Sequence, residues 1–265
     1  MSNYVWGFST LGCAELSLPE AVALAEKFQF QHLELRTLSN LLDLPAALQI
    51  PENAAEMQRL AADGRVRVLG TSFGITSDKG HEELAAYARV ADQYGVPYLR
   101  VFGGFKFEDP LNDDHKRRAA ENLRWFRQQN FKCKIAVETH DGLSSAARCC
   151  ELFEAIGEPL PMVWDLHHTY CYGGESVAEA WDRIGKWTVD IHLKDSKPGP
   201  GGERIQTLPG EGNVPVTELF PLLDAAGYSG DVTLEHERKW HPELPPLPEA
   251  LAAVNRLWRP TFFSR

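Results

Sequence analysis

The chain contains no apolar run approaching the roughly 18 residues that a membrane-spanning helix requires. Its first residues lack a basic stretch followed by an apolar core, and strand-like sequence begins at Tyr4. No signal peptide is therefore expected, and the expected location is cytoplasmic. Cysteine is scarce: Cys13, Cys133, Cys149, Cys150 and Cys171 are odd in number and lack metal-finger spacing. That pattern predicts idle thiols in a reducing compartment rather than a disulfide framework. Basic residues are outnumbered, 27 Lys and Arg against 37 Asp and Glu, for a net charge of −10. Affinity for a phosphate backbone comes largely from counterion release by Lys and Arg, so nucleic acid is an unfavoured partner. No glycine fingerprint for phosphate or dinucleotide follows the first strand, which weakens an open, doubly wound sheet.

What is present is alternation. Short β-rich runs recur eight times: YVWGFS (4–9), HLELR (32–36), VRVLG (66–70), YLRVF (98–102), KIAVE (134–138), MVWDL (162–166), VDIHL (189–193) and DVTLE (231–235). Amphipathic stretches lie between them, near 18–28, 51–62, 80–94, 113–129, 143–156, 175–184, 214–226 and 246–258. Pro19 and Pro51 stand at helix starts, and Gly95 and Gly227 at helix ends. Strands separated by helices pair in parallel through right-handed crossovers, and eight such units close into a barrel. The expected fold is an α/β (β/α)8 TIM barrel, a single domain over residues 1–265, a length that suits such a barrel. The one long insert, 194–213, is Gly- and Pro-rich and reads as a functional loop.

In a barrel of this kind, polar residues at strand C-terminal ends mark the site. Four consecutive strands end in metal-type donors: Glu138, Asp165, His192 and Glu235. The first three are evenly spaced by one β/α unit; the insert lengthens the last interval. Alternation places Ala136 and Glu138, Asp190, His192 and Lys194, and Thr233 and Glu235 on the inner face of their strands. Three buried carboxylates repel one another and need a cation. The alternative is that they pair with Arg36, Arg100 and Lys194. Three carboxylates and an imidazole make a hard O/N donor set for one divalent metal: Mn²⁺ first, with Mg²⁺, Co²⁺, Fe²⁺ or Zn²⁺ as alternatives. Such an ion offers room for two substrate oxygens, as in a hydroxy-ketone, and acidifies the C–H beside the carbonyl so that a carboxylate can remove the proton.

The runs VETHDG (137–142), WDLHHTY (164–170), IHLKD (191–195), GEG (210–212) and LEHER (234–238) resemble the xylose isomerase-like barrel superfamily, in particular its sugar phosphate isomerase/epimerase family. The likeness covers essentially the whole chain. It implies a metal-dependent sugar or sugar-phosphate isomerase or epimerase working by proton transfer through a metal-bound enediolate, with a small carbohydrate as substrate. It also implies that Glu138 and Glu235 are both metal ligands and catalytic acid and base, that Asp165 and His192 complete the metal set, and that His168 contacts substrate. Ketose epimerases of that family carry an arginine six residues after the strand-seven histidine. Here that position is Pro198, and the nearest basic residues are Lys194, Lys197 and Arg204. Lys194 and Arg204 are read as substrate contacts, with Lys194 alternatively balancing the charge of Glu235.

Other residues carry two readings each. Glu34 is a substrate contact or an internal partner of Arg36 or Arg100; His140 touches substrate or supports a residue that does. Which of His167 and His168 faces the pocket is open, since alternation fails beyond the strand. Arg238 and Lys239 hold an anion or line a solvated loop. Phe8, Phe73, Phe102 and Phe105 wall the pocket or fill the core. Among functions, a dehydratase or lyase on a keto-polyol or keto acid, of inosose or dehydroshikimate type, uses the same metal site. An abasic-site endonuclease is the remote alternative, because strands three and four end in GTSFGI (70–75) and RVFGG (100–104) without the histidines a three-metal cluster needs. Whether the chain assembles as a homodimer or a homotetramer is open.

Overall fold

The β-branched and aromatic runs become strands, and the stretches of three- and four-residue apolar spacing become helices. The computed structural model describes residues 3–259. Eight strands form a closed barrel: β1 (Val5–Ser9), β2 (His32–Leu35), β3 (Val66–Gly74), β4 (Tyr98–Phe102), β5 (Lys134–Glu138), β6 (Met162–Asp165), β7 (Thr188–Leu193) and, after a hairpin of β8 (Asp195–Pro198) and β9 (Arg204–Thr207), β10 (Asp231–Leu234). The order around the barrel is β1-β10-β7-β6-β5-β4-β3-β2, with β8 and β9 as a separate antiparallel pair. The helices are α1 (Leu18–Lys27), α2 (Leu44–Ala47), α3 (Pro51–Asp63), α4 (His81–Tyr94), α5 (Asp113–Gln128), α6 (Ala146–Ile156), α7 (Leu166–Cys171), α8 (Val177–Ile184), α9 (Leu219–Ala226) and α10 (Leu247–Leu257). None is long and apolar enough to cross a membrane.

The described residues fall into two compact units, residues 3–59 with 192–259, and residues 60–191. In the first, β1 pairs in parallel with β2 (Gly7↔His32, Ser9↔Glu34) and with β10 (Val5↔Asp231, Phe8↔Leu234). Gly7 is required there, because a Cβ would fall 2.2 Å from the His32 ring. Ser17 and Glu20 form a capping box at the start of α1, and the hydrogen bonds from Ser17 hold the Glu20 carboxyl below its usual range. Asn53, fully buried, accepts from Leu18 N at 2.7 Å and donates to Ala47 O at 2.9 Å, so one side chain ties α1, α2 and α3. Gly227 ends α9 in the left-handed conformation.

In the second unit, β3, β4, β5 and β6 pair in parallel. β3 runs on to Gly74, past the expected end at Gly70, with a register shift between the two. Outward residues such as Leu99, Val101, Ile135 and Val137 are buried, each worth about 1.5–3 kcal/mol against exposure. Phe73 and Phe105 are core, as is Phe8 in the first unit, whereas Phe102 is half-buried. The expected loop at 194–213 contains the β8–β9 hairpin instead. Glycine and proline at its tip hid a pairing made by short polar strands.

Candidate functional site

The four donors expected from the sequence all end up buried: Glu138, Asp165 and His192 fully, and Glu235 with 4% of its surface exposed. Each stands at, or next to, the C-terminal end of its barrel strand. Among the described residues, seven carboxylates are buried (Glu34, Glu138, Asp165, Asp190, Asp195, Asp231, Glu235) against four cationic side chains (Arg36, Arg100, Lys194, Arg259), an excess of negative charge in the interior.

Residues 60–191 supply Glu138 and Asp165. Glu138, closing β5, meets Arg100 of β4, whose Nη1 lies 3.2 Å from Oε2. Arg100 also stacks on Phe102, its guanidinium carbon 4.2 Å from the ring centroid. Asp165 ends β6 and caps α7: its Oδ1 accepts from His168 N at 2.9 Å. Thr139 joins the two strand ends, its hydroxyl accepting from Asp165 N at 2.8 Å. The Thr139 carbonyl accepts from His168 Nδ1 at 3.0 Å, so Nδ1 carries a proton. His168 packs edge-on against His140 at 4.5 Å, and His140 lies 4.5 Å from Phe102. His167 is more deeply buried than His168 and packs against Tyr172 at 5.8 Å. His168 is thus the member of the pair joined to both Thr139 and Asp165.

Residues 3–59 and 192–259 supply His192 and Glu235. His192 Nε2 is hydrogen-bonded to Glu34, and Nδ1 lies 3.5 Å from Glu235 Oε1. Lys194, buried to 3% exposure, donates at 2.6 Å to Glu235 Oε2 and at 2.6 Å to Glu237 Oε1. Gln206 of β9 donates to the other oxygen of Glu237, so the hairpin reaches this chain of charges. The pairings expected as an alternative to metal binding therefore exist, Arg100 with Glu138 and Lys194 with Glu235. Each engages Oε2 of a carboxylate whose atoms also enter the four-donor group.

Some expected contacts sit elsewhere. Arg204 lies in β9, where its guanidinium donates to Ser196 Oγ and O and to Asn213 Oδ1 at 2.6–2.9 Å, bracing the hairpin. Arg238 donates to Leu244 O at 3.3 Å, and its Nη1 lies 4.0 Å from Glu15. Sequence reasoning missed Thr139, Asp195, Gln206 and Glu237. Thr139 and Asp195 lie inside quoted motifs, VETHDG and IHLKD, yet neither alternation nor spacing distinguishes them. The Asp195 carboxylate accepts four backbone N–H groups: Ser196 (2.9 Å) and Val214 (3.2 Å) at Oδ1, Gly210 (2.9 Å) and Gly212 (3.0 Å) at Oδ2. Gly212 permits this approach, since a Cβ there would stand 2.1 Å from Oδ1.

A family model described as xylose isomerase-like TIM barrel matches residues 22–257. The inosose isomerase of Halalkalibacterium halodurans is 22% identical over 238 residues, 83% of this chain and 82% of that protein. A crystal structure of the IolI protein with a bound zinc atom is similar at TM-score 0.73 and 18% identity, covering 95% of each chain. The probable 3-DHS dehydratase AsbF of Bacillus anthracis, involved in petrobactin synthesis, reaches TM-score 0.73 at 17% identity over 96% of this chain and 99% of that one. At these identities the structural likeness establishes the fold.

Proposed function

The chain belongs to the xylose isomerase-like TIM barrel family, and on that premise we propose that it is a metal-dependent isomerase or epimerase, moving a proton beside the carbonyl of a small sugar, sugar phosphate or polyol-derived ketone. The whole chain serves as one catalytic domain in this reading. The observation that carries it is the set of Glu138, Asp165, His192 and Glu235, four buried donors at or next to the C-terminal ends of four barrel strands. The donors fit a divalent cation. They are hard oxygens and one imidazole, and the buried surplus of carboxylates is relieved by added positive charge. When bound, the ion polarises the substrate carbonyl and lowers the cost of charge on the substrate oxygens. Mn²⁺ is the expected ion; the zinc in the IolI structure belongs to that protein.

The chain's own residues do the proton work. Glu138 ends β5 and Glu235 follows β10, strands on different parts of the barrel wall, so one carboxylate takes the proton and the other returns one. Lys194 holds Glu235 by a charge-assisted hydrogen bond and Arg100 holds Glu138 by an ion pair at 3.2 Å, and each contact orients its carboxylate. His168, with Nδ1 committed to the Thr139 carbonyl, and His140 beside it hold substrate hydroxyls. The half-buried Phe102 gives the pocket an apolar wall on that side. The AsbF likeness favours a second reading, dehydration of a keto-polyol or keto acid. It begins with the same proton removal and ends with loss of a β-hydroxyl.

Metal-loaded protein incubated in D₂O with ketoses, hydroxypyruvate and inososes tests the proposal. Deuterium beside the carbonyl of a turned-over substrate is the expected result. No turnover on the whole panel overturns the isomerase reading, turnover without deuterium points to hydride transfer, and loss of water assigns the dehydratase. Glu138→Gln and Glu235→Gln each abolish the exchange; normal exchange in both removes their assigned roles.

A further inference from the structure

We propose that Glu34 is a positioning residue, whose carboxylate holds the Nε2 proton of His192 and so presents Nδ1 as the ligating nitrogen. The inference rests on the metal-site reading above and adds to it a residue outside the four donors. Glu34 lies on β2 in register with Ser9 of β1, and its side chain has no exposed surface. Its carboxylate is in hydrogen-bond contact with His192 Nε2.

The chemistry of the two groups sets the direction of that bond. An ionised carboxylate only accepts, so the shared proton is the imidazole's. A neutral ring protonated at Nε2 carries its lone pair at Nδ1, and Nδ1 is the nitrogen 3.5 Å from Glu235 Oε1. Lys194 takes the other oxygen of Glu235, which leaves the Nδ1 side of the ring facing a donor of the four-residue group. A carboxylate behind a ligating histidine fixes the tautomer and ring angle and raises the basicity of the ligating nitrogen. The sequence separation of 158 residues means that only the closed fold brings the two together.

The test uses the full chain loaded with Zn²⁺ and labelled with [¹⁵N]histidine. Long-range ¹H–¹⁵N spectra, with His192 assigned by its disappearance in His192→Gln, report which ring nitrogen carries the proton. The expected result is a protonated Nε2 and a metal-bound Nδ1; a proton on Nδ1 with Nε2 bound to zinc overturns the proposal. Independently, Glu34→Gln should weaken Zn²⁺ binding about 10- to 100-fold in competition with a chromophoric chelator and shift the visible Co²⁺ spectrum. Wild-type affinity and an unchanged spectrum in Glu34→Gln overturn the role of Glu34 while leaving the metal site standing. Wild-type protein that binds neither Zn²⁺ nor Co²⁺ overturns the metal-site reading itself. If Glu34→Gln fails to fold, the tautomer measured in the wild type decides.

Discussion

Replacing Asp195 by Asn changes almost no volume but removes half of an anion-binding nest. The carboxylate accepts Ser196 N and Val214 N at one oxygen and Gly210 N and Gly212 N at the other. Asparagine keeps one acceptor oxygen and turns an NH₂ toward the other pair of donors, so two charge-assisted hydrogen bonds are lost. Such bonds are worth about 1.5–3 kcal/mol each. Gly210 is exposed and Gly212 half-buried, so water replaces part of what is lost, and the lower bound of about 3 kcal/mol applies. The loss is local, because the bonds pin the β8–β9 hairpin and the 208–214 turn rather than the barrel wall. Local opening should become easier by that amount, a rise of about 100-fold in amide exchange for residues 196–213, while exchange in β5 stays unchanged. Hydrogen-exchange mass spectrometry on peptides across both segments reads this directly. A rise below about twofold in the hairpin, or an equal rise in β5, would refute the reasoning.

Asn53→Ala strips partners from Leu18 N and Ala47 O inside the protein and should cost about 2–3 kcal/mol in urea unfolding. A cost below about 0.5 kcal/mol contradicts the role given to Asn53. Burial pushes the Cys13 and Cys149 thiols upward and Cys133 up to about 12, so all three stay protonated at pH 8. A thiol-exchange reagent should therefore modify only the half-buried Cys150 and Cys171 in the native protein, and all five after denaturation. Rapid modification of a third thiol in native protein contradicts this. Chelator-treated protein should gain about 2.7 kcal/mol of stability when a cognate divalent ion is supplied at a hundred times its Kd. A melting temperature indifferent to Mn²⁺, Co²⁺, Mg²⁺ and Zn²⁺ argues against the donor group as a metal site.

The barrel, and the buried strand-end placement of the four candidate donors, were legible in the sequence because both are written in local periods. Strand alternation tells inside from outside at Glu138 and Glu235, and the β/α repeat aligns Asp165 with His192. The same-face argument for Lys194 anticipated its ion pair with Glu235 as one of two readings. What escaped depends on distance through space or on backbone geometry. The Glu34–His192 contact joins residues 158 apart, and no local pattern selects it over Arg36 or Arg100 as a partner. Asp195 binds backbone N–H groups, which every residue but proline has, so its partners leave no mark in composition. The β8–β9 hairpin lacks an apolar face, and its Lys197 and Gln206 carry no strand signal. The differing contacts of His167 and His168 depend on the short helix α7, announced only by the capping aspartate before it.

In the proposed metal site Asp165 would hold two posts at once, as one of the four donors and as the cap of α7, whose first turn donates to its Oδ1 and which carries His167 and His168. Changing that side chain to alter metal preference also releases the helix that orients the histidines beside it. On the proposed reading selection would meet a ratchet at this position: ion choice and substrate grip could not drift separately through Asp165. New specificity in this scaffold has a freer path through Phe102, His140 and Tyr172, whose side chains line the same region without starting an α-helix.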